Sequence, residues 1–167
     1  AVVDVDMNGW LDIIIANDGK ANQLLRNVGD GEYVASFETF PAGSGGNQTS
    51  TTSIAVADVD NDGWPDLVFG NLDGKNELLL NDGHGSFTVQ VDALSDPSSS
   101  SRTRTIVAAD VDLDGWMDLI VGNDDGEVNY LLKNLGNGVY GESESLPGVH
   151  SSAGTRAVAV ADLDGDG

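Results

Sequence analysis

The sequence contains no cysteine and only seven basic residues against 28 acidic ones, which gives a formal net charge of −21. Without cysteine, a disulfide scaffold and a thiolate metal site are both excluded. The few cations are scattered, and so acidic a chain repels the phosphates of nucleic acids, which argues against nucleic-acid binding. No apolar run approaches the ~18 residues that span a bilayer. Asp4 and Asp6 also stand where a signal peptide would be basic and then apolar, so we expect no membrane insertion of this segment and no targeting signal within it.

One acidic phrase occurs four times, at intervals of 52 to 54 residues. It reads DVDMNGWLD from Asp4, DVDNDGWPD from Asp58, DVDLDGWMD from Asp110 and DLDGDG from Asp162. The segments IIIAN, LVFGN and LIVGN follow the first three copies. A constant period with matched segments at several offsets indicates a repeat architecture. We predict a single propeller segment over 1–167, with repeats at approximately 1–48, 49–100, 101–152 and, in part, 153–167.

Each repeat divides into four short segments that resemble strands. In the second repeat they are 54–58, 67–70, 77–80 and 87–91, separated by Asp-Gly pairs that favour turns. The Ser- and Thr-rich stretches between repeats, such as 41–53 and 95–104, are typical of loops. No stretch keeps helical spacing over ten or more residues. Four strands in about 52 residues match one blade of a propeller, whereas one coil of a β-helix is much shorter. The sequence therefore predicts an all-β chain of β-propeller blades, each with four antiparallel strands.

The number of repeats is too small for a closed ring. Small residues in the first strand, such as Ala55, Ala57 and Ala108, are typical of strands that crowd a central axis. Propellers close with about four to eight blades, whereas three full repeats and the start of a fourth give only a partial ring. The chain also begins and ends within the repeated phrase. We therefore expect either a piece of a longer protein or a ring that other copies of the chain complete.

The repeated phrase has the pattern DxDx[DN]GxxD, which offers oxygen ligands at alternate positions. Calcium takes six to eight oxygen ligands at about 2.3 to 2.6 Å, and a glycine at position six permits the sharp bend around it. We predict that Ca²⁺ binds to the side chains at positions one, three, five and nine and to the backbone carbonyl at position seven. The predicted ligands are Asp4, Asp6, Asn8, Trp10 and Asp12; Asp58, Asp60, Asp62, Trp64 and Asp66; Asp110, Asp112, Asp114, Trp116 and Asp118; and Asp162, Asp164 and Asp166.

Two other interpretations of the phrase are less favoured. An EF-hand requires Glu at position twelve, where this chain has Ile15, Phe69 and Val121. Acidic residues and glycine also form simple turns through Asx-type hydrogen bonds. Clustered carboxylates, however, repel one another by about 1 kcal/mol per pair at 4 Å in bulk water, and by about 4 kcal/mol at an effective dielectric of 20. Four such copies favour a bound cation, and magnesium is disfavoured because it demands rigid octahedral geometry.

The first loop differs from the second and third in its charge. Asn8 stands where the other two loops have Asp62 and Asp114, which leaves three carboxylates instead of four. We therefore expect weaker calcium binding at the first loop.

The phrase DVDNDGWPDLVFGN followed by NELLLNDGHGSFT resembles the FG-GAP-like, or VCBS-type, repeats of integrin-α-like β-propellers. The resemblance covers essentially the whole chain. It implies a calcium loop in the β-hairpin between the first two strands of each blade, and usually a seven-bladed ring. The last phrase stops at Gly167, so its position-nine ligand is absent. The resemblance does not define an activity, because this fold serves adhesion receptors, lectins, toxin components, polysaccharide lyases and structural surface proteins.

The favoured function is that of a noncatalytic calcium-binding module in a secreted or cell-surface protein, for adhesion, protein interaction or structural assembly. Its partner would be another protein or further copies of itself. Millimolar extracellular calcium would keep sites of moderate affinity filled. Asn47, in the sequon Asn47-Gln48-Thr49, is a candidate for N-glycosylation, and Ser98 to Ser101 are candidates for O-glycans.

A lectin is the first alternative, because repeated blades offer repeated pockets and aromatic rings stack on sugars. The tryptophans at position seven are the candidates, although we expect them to pack as core between adjacent blades.

The second alternative is the noncatalytic part of a polysaccharide-acting enzyme. The chain has two histidines, His84 and His150, and each lies in a turn or loop with no counterpart in the other repeats. Arg104 and Arg156 share one register, and we expect them to form salt bridges with the abundant carboxylates. No pair of nucleophile and base stands out, so the sequence predicts no enzyme activity for this segment.

Overall fold

The computed structural model describes residues 1–36, 40, 50–97, 102–147 and 154–164, and within these ranges the fold is all-β. Twelve strands form three four-stranded antiparallel sheets, one for each of the first three repeats. The predicted fold class is therefore confirmed, and the three sheets form no closed ring. In the described part of the chain, no helix is long and apolar enough to cross a membrane.

Each sheet is a meander in which neighbouring strands follow chain order. The first sheet comprises β1 (Val2–Val3), β2 (Asp12–Ile15), β3 (Gln23–Asn27) and β4 (Tyr33–Ser36). The second comprises β5 (Thr51–Ala57), β6 (Asp66–Asn71), β7 (Glu77–Asn81) and β8 (Phe87–Gln90). The third comprises β9 (Thr103–Ala109), β10 (Asp118–Asn123), β11 (Tyr130–Leu132) and β12 (Glu144–Ser145).

The second strands of the second and third sheets have central apolar runs because these strands are covered on both faces, whereas residues of β2 in the first sheet alternate between buried and partly buried. Every residue of β6 and of β10 is buried. In the second sheet, Leu67 pairs with Val56 on β5 and with Leu79 on β7. A strand that packs on both faces loses the alternation of apolar and polar residues that marks a half-buried strand.

The hydrophobic core lies between the sheets. One cluster joins the first two sheets, and another joins the second and third. The first contains Val5, Ile14, Leu24, Leu67, Phe69, Leu79 and Phe87. The second contains Ala55, Val59, Val68, Leu78, Leu94, Ile106, Leu119, Val121, Tyr130 and Leu132. Each sheet therefore buries apolar surface against its neighbour in the chain.

Glycine near the end of the second strand permits close packing of adjacent sheets. A Cβ atom on Gly70 would lie 2.9 Å from Cγ2 of Thr103 in the third sheet, and one on Gly122 would lie 2.8 Å from Cγ2 of Thr155 at the start of the fourth repeat. Real Cβ atoms do not make contacts this short, so a larger residue would push the sheets apart.

The first strands of the second and third repeats begin earlier than the sequence predicts, because polar residues at the start of these repeats are part of the sheet. The predicted loop 41–53 overlaps the start of β5, because Thr51 already pairs with Asn71 in the ladder between β5 and β6. The expected loop 95–104 has the same error, since β9 begins at Thr103. Both threonines are buried and donate side-chain hydrogen bonds to asparagine, at 2.8 and 3.0 Å, which offsets the cost of burying them.

Residues 154–164 adjoin the third sheet without forming a strand. The Thr155 N–H donates to the carbonyl of Asn123 at 2.8 Å, and the Asn129 side chain donates to the Thr155 hydroxyl at 2.8 Å. The same Asn-to-Thr hydrogen bond joins the preceding repeats, with donor and acceptor pairs Asn22–Thr51 and Asn76–Thr103. The third repeat therefore binds the start of the fourth through the same hydrogen bond that joins the earlier repeats. The boundaries of the repeats stay predictions.

Candidate metal centres

The first three acidic phrases form loops between the first two strands of their sheets, as the family resemblance implied. We call them the first, second and third loops, which comprise residues 4–12, 58–66 and 110–118. Positions four and six of each loop have positive φ. Glycine accounts for position six, at Gly9, Gly63 and Gly115. The residues at position four were not predicted, and they have φ of 54° at Met7, 57° at Asn61 and 59° at Leu113.

The position-one aspartate forms the centre of each loop. In the first loop, Oδ1 of Asp4 accepts the Asn8 N–H at 3.1 Å and Oδ2 accepts the Gly9 N–H at 2.7 Å. Asp58 and Asp110 accept the equivalent pairs at 2.9 to 3.1 Å. The side chain at position five then accepts the N–H of the tryptophan at 2.8 to 2.9 Å. Backbone donors therefore turn inward, which holds the acidic side chains on the concave side of the loop.

The position-nine aspartate connects the loop to the third strand and is fully buried in all three sheets. In the second loop, Oδ2 of Asp66 accepts the Val59 N–H and Oδ1 accepts the Asn81 N–H, both at 2.9 Å. The corresponding bonds of Asp12 and Asp118 measure 2.7 to 3.1 Å. Burial raises the pKa of Asp66 to about 7, although the two N–H donors act in the opposite direction.

Three carboxylates of each loop come together in a geometry that suits one cation. In every group, one ligand atom of each residue lies within 4.8 Å of the other two. Oxygens bound at about 2.4 Å to one calcium ion are separated by at most about 4.8 Å, so the spacing fits. The groups are Asp4, Asp6 and Asp12; Asp58, Asp60 and Asp62; and Asp110, Asp112 and Asp118. The donors are all carboxylate oxygens, which hard cations prefer.

Basic side chains at the end of the third strand accompany the first and third loops, with Arg26 inside β3 and Lys133 directly after β11. The Arg26 guanidinium lies 3.2 Å from Asp6, and the Lys133 ammonium lies 3.0 Å from Asp112. The second repeat has Leu80 in this register. Burial, followed by the neighbouring Asp62 and Asp58 carboxylates, raises the pKa of Asp60 above its usual range. This position was not predicted from the sequence, although it stands one residue before the last asparagine of NQLLRN, NELLLN and NYLLKN.

Each of the first two loops is also bonded to the next repeat. The Asn81 side chain donates to the Val5 carbonyl at 2.8 Å, and the Asn134 side chain donates to the Val59 carbonyl at 2.8 Å. The Gly138 N–H donates to the same Val59 carbonyl at 3.0 Å. Because Val5 and Val59 occupy position two of their loops, loop conformation and packing between sheets depend on the same residues.

The family model for the FG-GAP-like repeat matches residues 4–69, 58–121 and 110–167. The chain belongs to the FG-GAP-like repeat family. Curated relatives carry the name cartilage acidic protein 1. The one from Xenopus tropicalis is 30% identical over 164 residues, which cover 93% of this chain and 25% of that protein. The ones from Mus musculus and Homo sapiens are 32% identical over 113 residues, which cover 67% of this chain and 17% of each protein. The chain thus spans a quarter or less of these relatives.

The expectation that the position-seven tryptophans pack as core between adjacent blades is wrong. Trp10 is 52% exposed, and Trp64 and Trp116 are partly exposed. Each indole instead lies over the turn that follows the third strand of its own sheet. A Cβ atom on Gly29, Gly83 or Gly136 in these turns would have atoms of the indole as its nearest neighbours.

The expected salt bridge of Arg104 is confirmed, because its guanidinium lies 2.6 Å from Asp124. The hydrogen bond from Arg104 lowers the pKa of Asp124. His84 is exposed in the turn after β7, as a solvated loop histidine would be. Asp162 and Asp164 lie in the 154–164 segment. The other predicted site residues fall outside the described ranges: Asn47, Ser98 to Ser101, His150 and Asp166.

Proposed function

We propose that this chain is a noncatalytic, calcium-binding part of an FG-GAP-like propeller, in which bound calcium stabilises each blade and its contact with the next. The arrangement of the position-nine aspartates carries the proposal. Their buried carboxylates connect loop and strand, and in the first and third loops they also belong to the carboxylate groups that suit a cation.

Calcium would be held by the side chains at positions one, three, five and nine and by the carbonyl at position seven. The ion supplies positive charge to a group of carboxylates that otherwise repel one another. In a chain with net charge −21, half of whose acidic residues lie in the repeated phrases, that repulsion opposes folding until cations bind. Binding to the folded state alone then adds to stability.

The bonds from Asn81 and Asn134 to the preceding loops extend this effect to the next repeat. A loop that calcium holds in shape presents its position-two carbonyl correctly to the neighbouring sheet. The result is a rigid array, which suits adhesion, protein interaction or structural assembly, with another protein or further copies of the chain as partner. The exposed indole of Trp10 makes glycans the second class of partner.

An extracellular or cell-surface location fits this function, because calcium is millimolar there and fills sites of moderate affinity. The curated relatives are named for cartilage, which supports the same location.

Thermal unfolding of the chain with and without a calcium chelator tests the proposal. We expect the melting temperature to fall by several degrees or more in chelator, because about 1 kcal/mol shifts it by about 2 to 4 °C in a chain of this size. Calcium should restore it and magnesium at equal concentration should not. The matched control is the variant D4N/D58N/D110N, whose transition should not respond to calcium. If chelator leaves the wild-type transition unchanged, the loops are turns only and the proposal fails.

A further inference from the structure

One position at the end of the third strand distinguishes the three loops. It directly precedes the asparagine that bonds to the position-nine aspartate, and it holds Arg26, Leu80 and Lys133 in successive repeats. Arg26 and Lys133 reach the position-three carboxylate of their loops, Asp6 and Asp112. Among the described residues, Asp60 of the second loop forms no salt bridge with a basic side chain, because Leu80 replaces one there.

The basic side chains of Arg26 and Lys133 are held by different contacts. Besides Asp6, the Arg26 guanidinium donates to the carbonyls of His84 and Gly85 in the second repeat, at 3.2 and 2.8 Å. It therefore stays beside the first loop whether or not Asp6 has another partner. Lys133 is partly exposed, and its flexible four-carbon chain bonds to Asp112.

A basic side chain about 3 Å from the position-three carboxylate opposes the binding of a calcium ion to the same loop. It occupies a position-three oxygen that calcium would use, and its charge repels the ion that shares the same carboxylate. Loops two and three have the same four aspartates, although the group of close carboxylates includes Asp62 in the second loop and Asp118 in the third. Leu80 in the second repeat corresponds to Lys133 in the third, so exchanging these two residues isolates the effect of the basic side chain.

We propose that this third-strand residue sets the order of calcium affinity among the loops. The second loop binds calcium most tightly, the third more weakly because Lys133 competes, and the first most weakly because Arg26 is anchored and Asn8 removes one carboxylate. This inference rests on the proposed calcium function.

The chain offers a direct way to measure each loop. It has three tryptophans, one at position seven of each loop, and a nearby indole sensitises the luminescence of bound Tb³⁺, a calcium analogue. Replacing two of them by phenylalanine leaves one reporting loop, and the predicted ligand at position seven is a backbone carbonyl that phenylalanine retains. Displacement of Tb³⁺ by Ca²⁺ then gives the calcium affinity of that loop.

The decisive variants exchange Leu80 and Lys133, the residues that accompany the second and third loops. We expect K133L to tighten calcium binding at the third loop by about tenfold and L80K to weaken it at the second by about tenfold. K133R should keep the affinity of wild type. The control K75L removes an equal charge from an exposed pair with Asp92, and it should change either loop by less than about twofold because solvent and salt screen it.

The outcomes separate the two proposals. If the second and third loops bind calcium equally and neither exchange changes the affinity, the inference fails while the calcium function stands. If no loop binds Tb³⁺ or calcium in a chain whose circular dichroism shows folded β-structure, the proposed function itself fails. A K75L effect as large as that of K133L would show that net charge alone sets the order, which also overturns the inference.

Discussion

The position-nine aspartates contribute to the fold even without metal, because each accepts two backbone N–H groups, and in the first and second loops both of these bonds are buried. Val59 and Asn81 are the donors to Asp66. A buried donor that loses its acceptor costs about 1 to 3 kcal/mol. The acid that completes a predicted ligand set is thus also the residue that joins the loop to the third strand.

We expect Asp66→Ala to lower the free energy of unfolding by about 2 to 4 kcal/mol in the presence of chelator, where calcium makes no contribution. The matched control is Asp62→Ala in the same loop. Asp62 is exposed and accepts the Trp64 N–H, so its loss should cost less than about 1 kcal/mol. Urea denaturation of both variants measures the difference. Equal losses would contradict the structural role of Asp66.

The repeated spacing in the sequence identified the acidic residues that the structure brings together in groups of three, because alternate acidic positions around a glycine bend share one side of a tight loop. Their role as calcium ligands stays a prediction. The sequence did not predict the positive φ of Met7 and Leu113, since neither residue favours that conformation and the loop imposes it. Arg26 and Lys133 were also missed, because the hairpin brings a residue some 20 positions away beside the loop. Such pairings depend on strand register.

At the scale of strands, the polar residues that flank each apolar run form the junction between repeats. Thr51 and Thr103 were assigned to loops because they follow Ser- and Thr-rich stretches. In the structure they are buried and bonded to asparagines of two adjacent sheets. Local composition could not reveal this, since one of the two asparagines bonded to each threonine belongs to the preceding repeat and the other lies about 20 positions further along the chain.

The glycine near the end of the second strand sets how closely adjacent sheets approach. We expect Gly70→Ala to lower the free energy of unfolding by about 1 to 3 kcal/mol, because its Cβ would overlap Thr103 and Ile106. Ala16 occupies the same register in the first repeat and already carries a Cβ. Ala16→Gly is therefore the matched control, with an expected loss of about 1 kcal/mol or less from backbone entropy. Denaturant unfolding at saturating calcium compares them, and a smaller effect at Gly70 than at Ala16 would refute the packing argument.

At the scale of the whole molecule, three sheets packed in series carry a net charge of −21. Because each sheet contacts its neighbours in the chain, stability is close to a sum of repeats and interfaces. The acidic loops lie at the same end of every repeat, which adds repulsion between loops to repulsion within them. The Asn61 side chain of the second loop donates to the Gly115 carbonyl of the third at 3.1 Å, so adjacent loops are near neighbours.

This repulsion predicts a salt dependence that calcium removes. In chelator, we expect the melting temperature to rise as sodium chloride increases from about 0.01 M to 0.5 M, because the Debye length falls from about 30 Å to less than 10 Å. With calcium bound, the loop carboxylates are already neutralised, so the same salt increase should have a smaller effect. Differential scanning calorimetry at matched pH measures both series. If salt stabilises the calcium-saturated chain as strongly as the chelated one, repulsion among the loops is not what opposes folding, and the bound ion would have to act through coordination geometry alone.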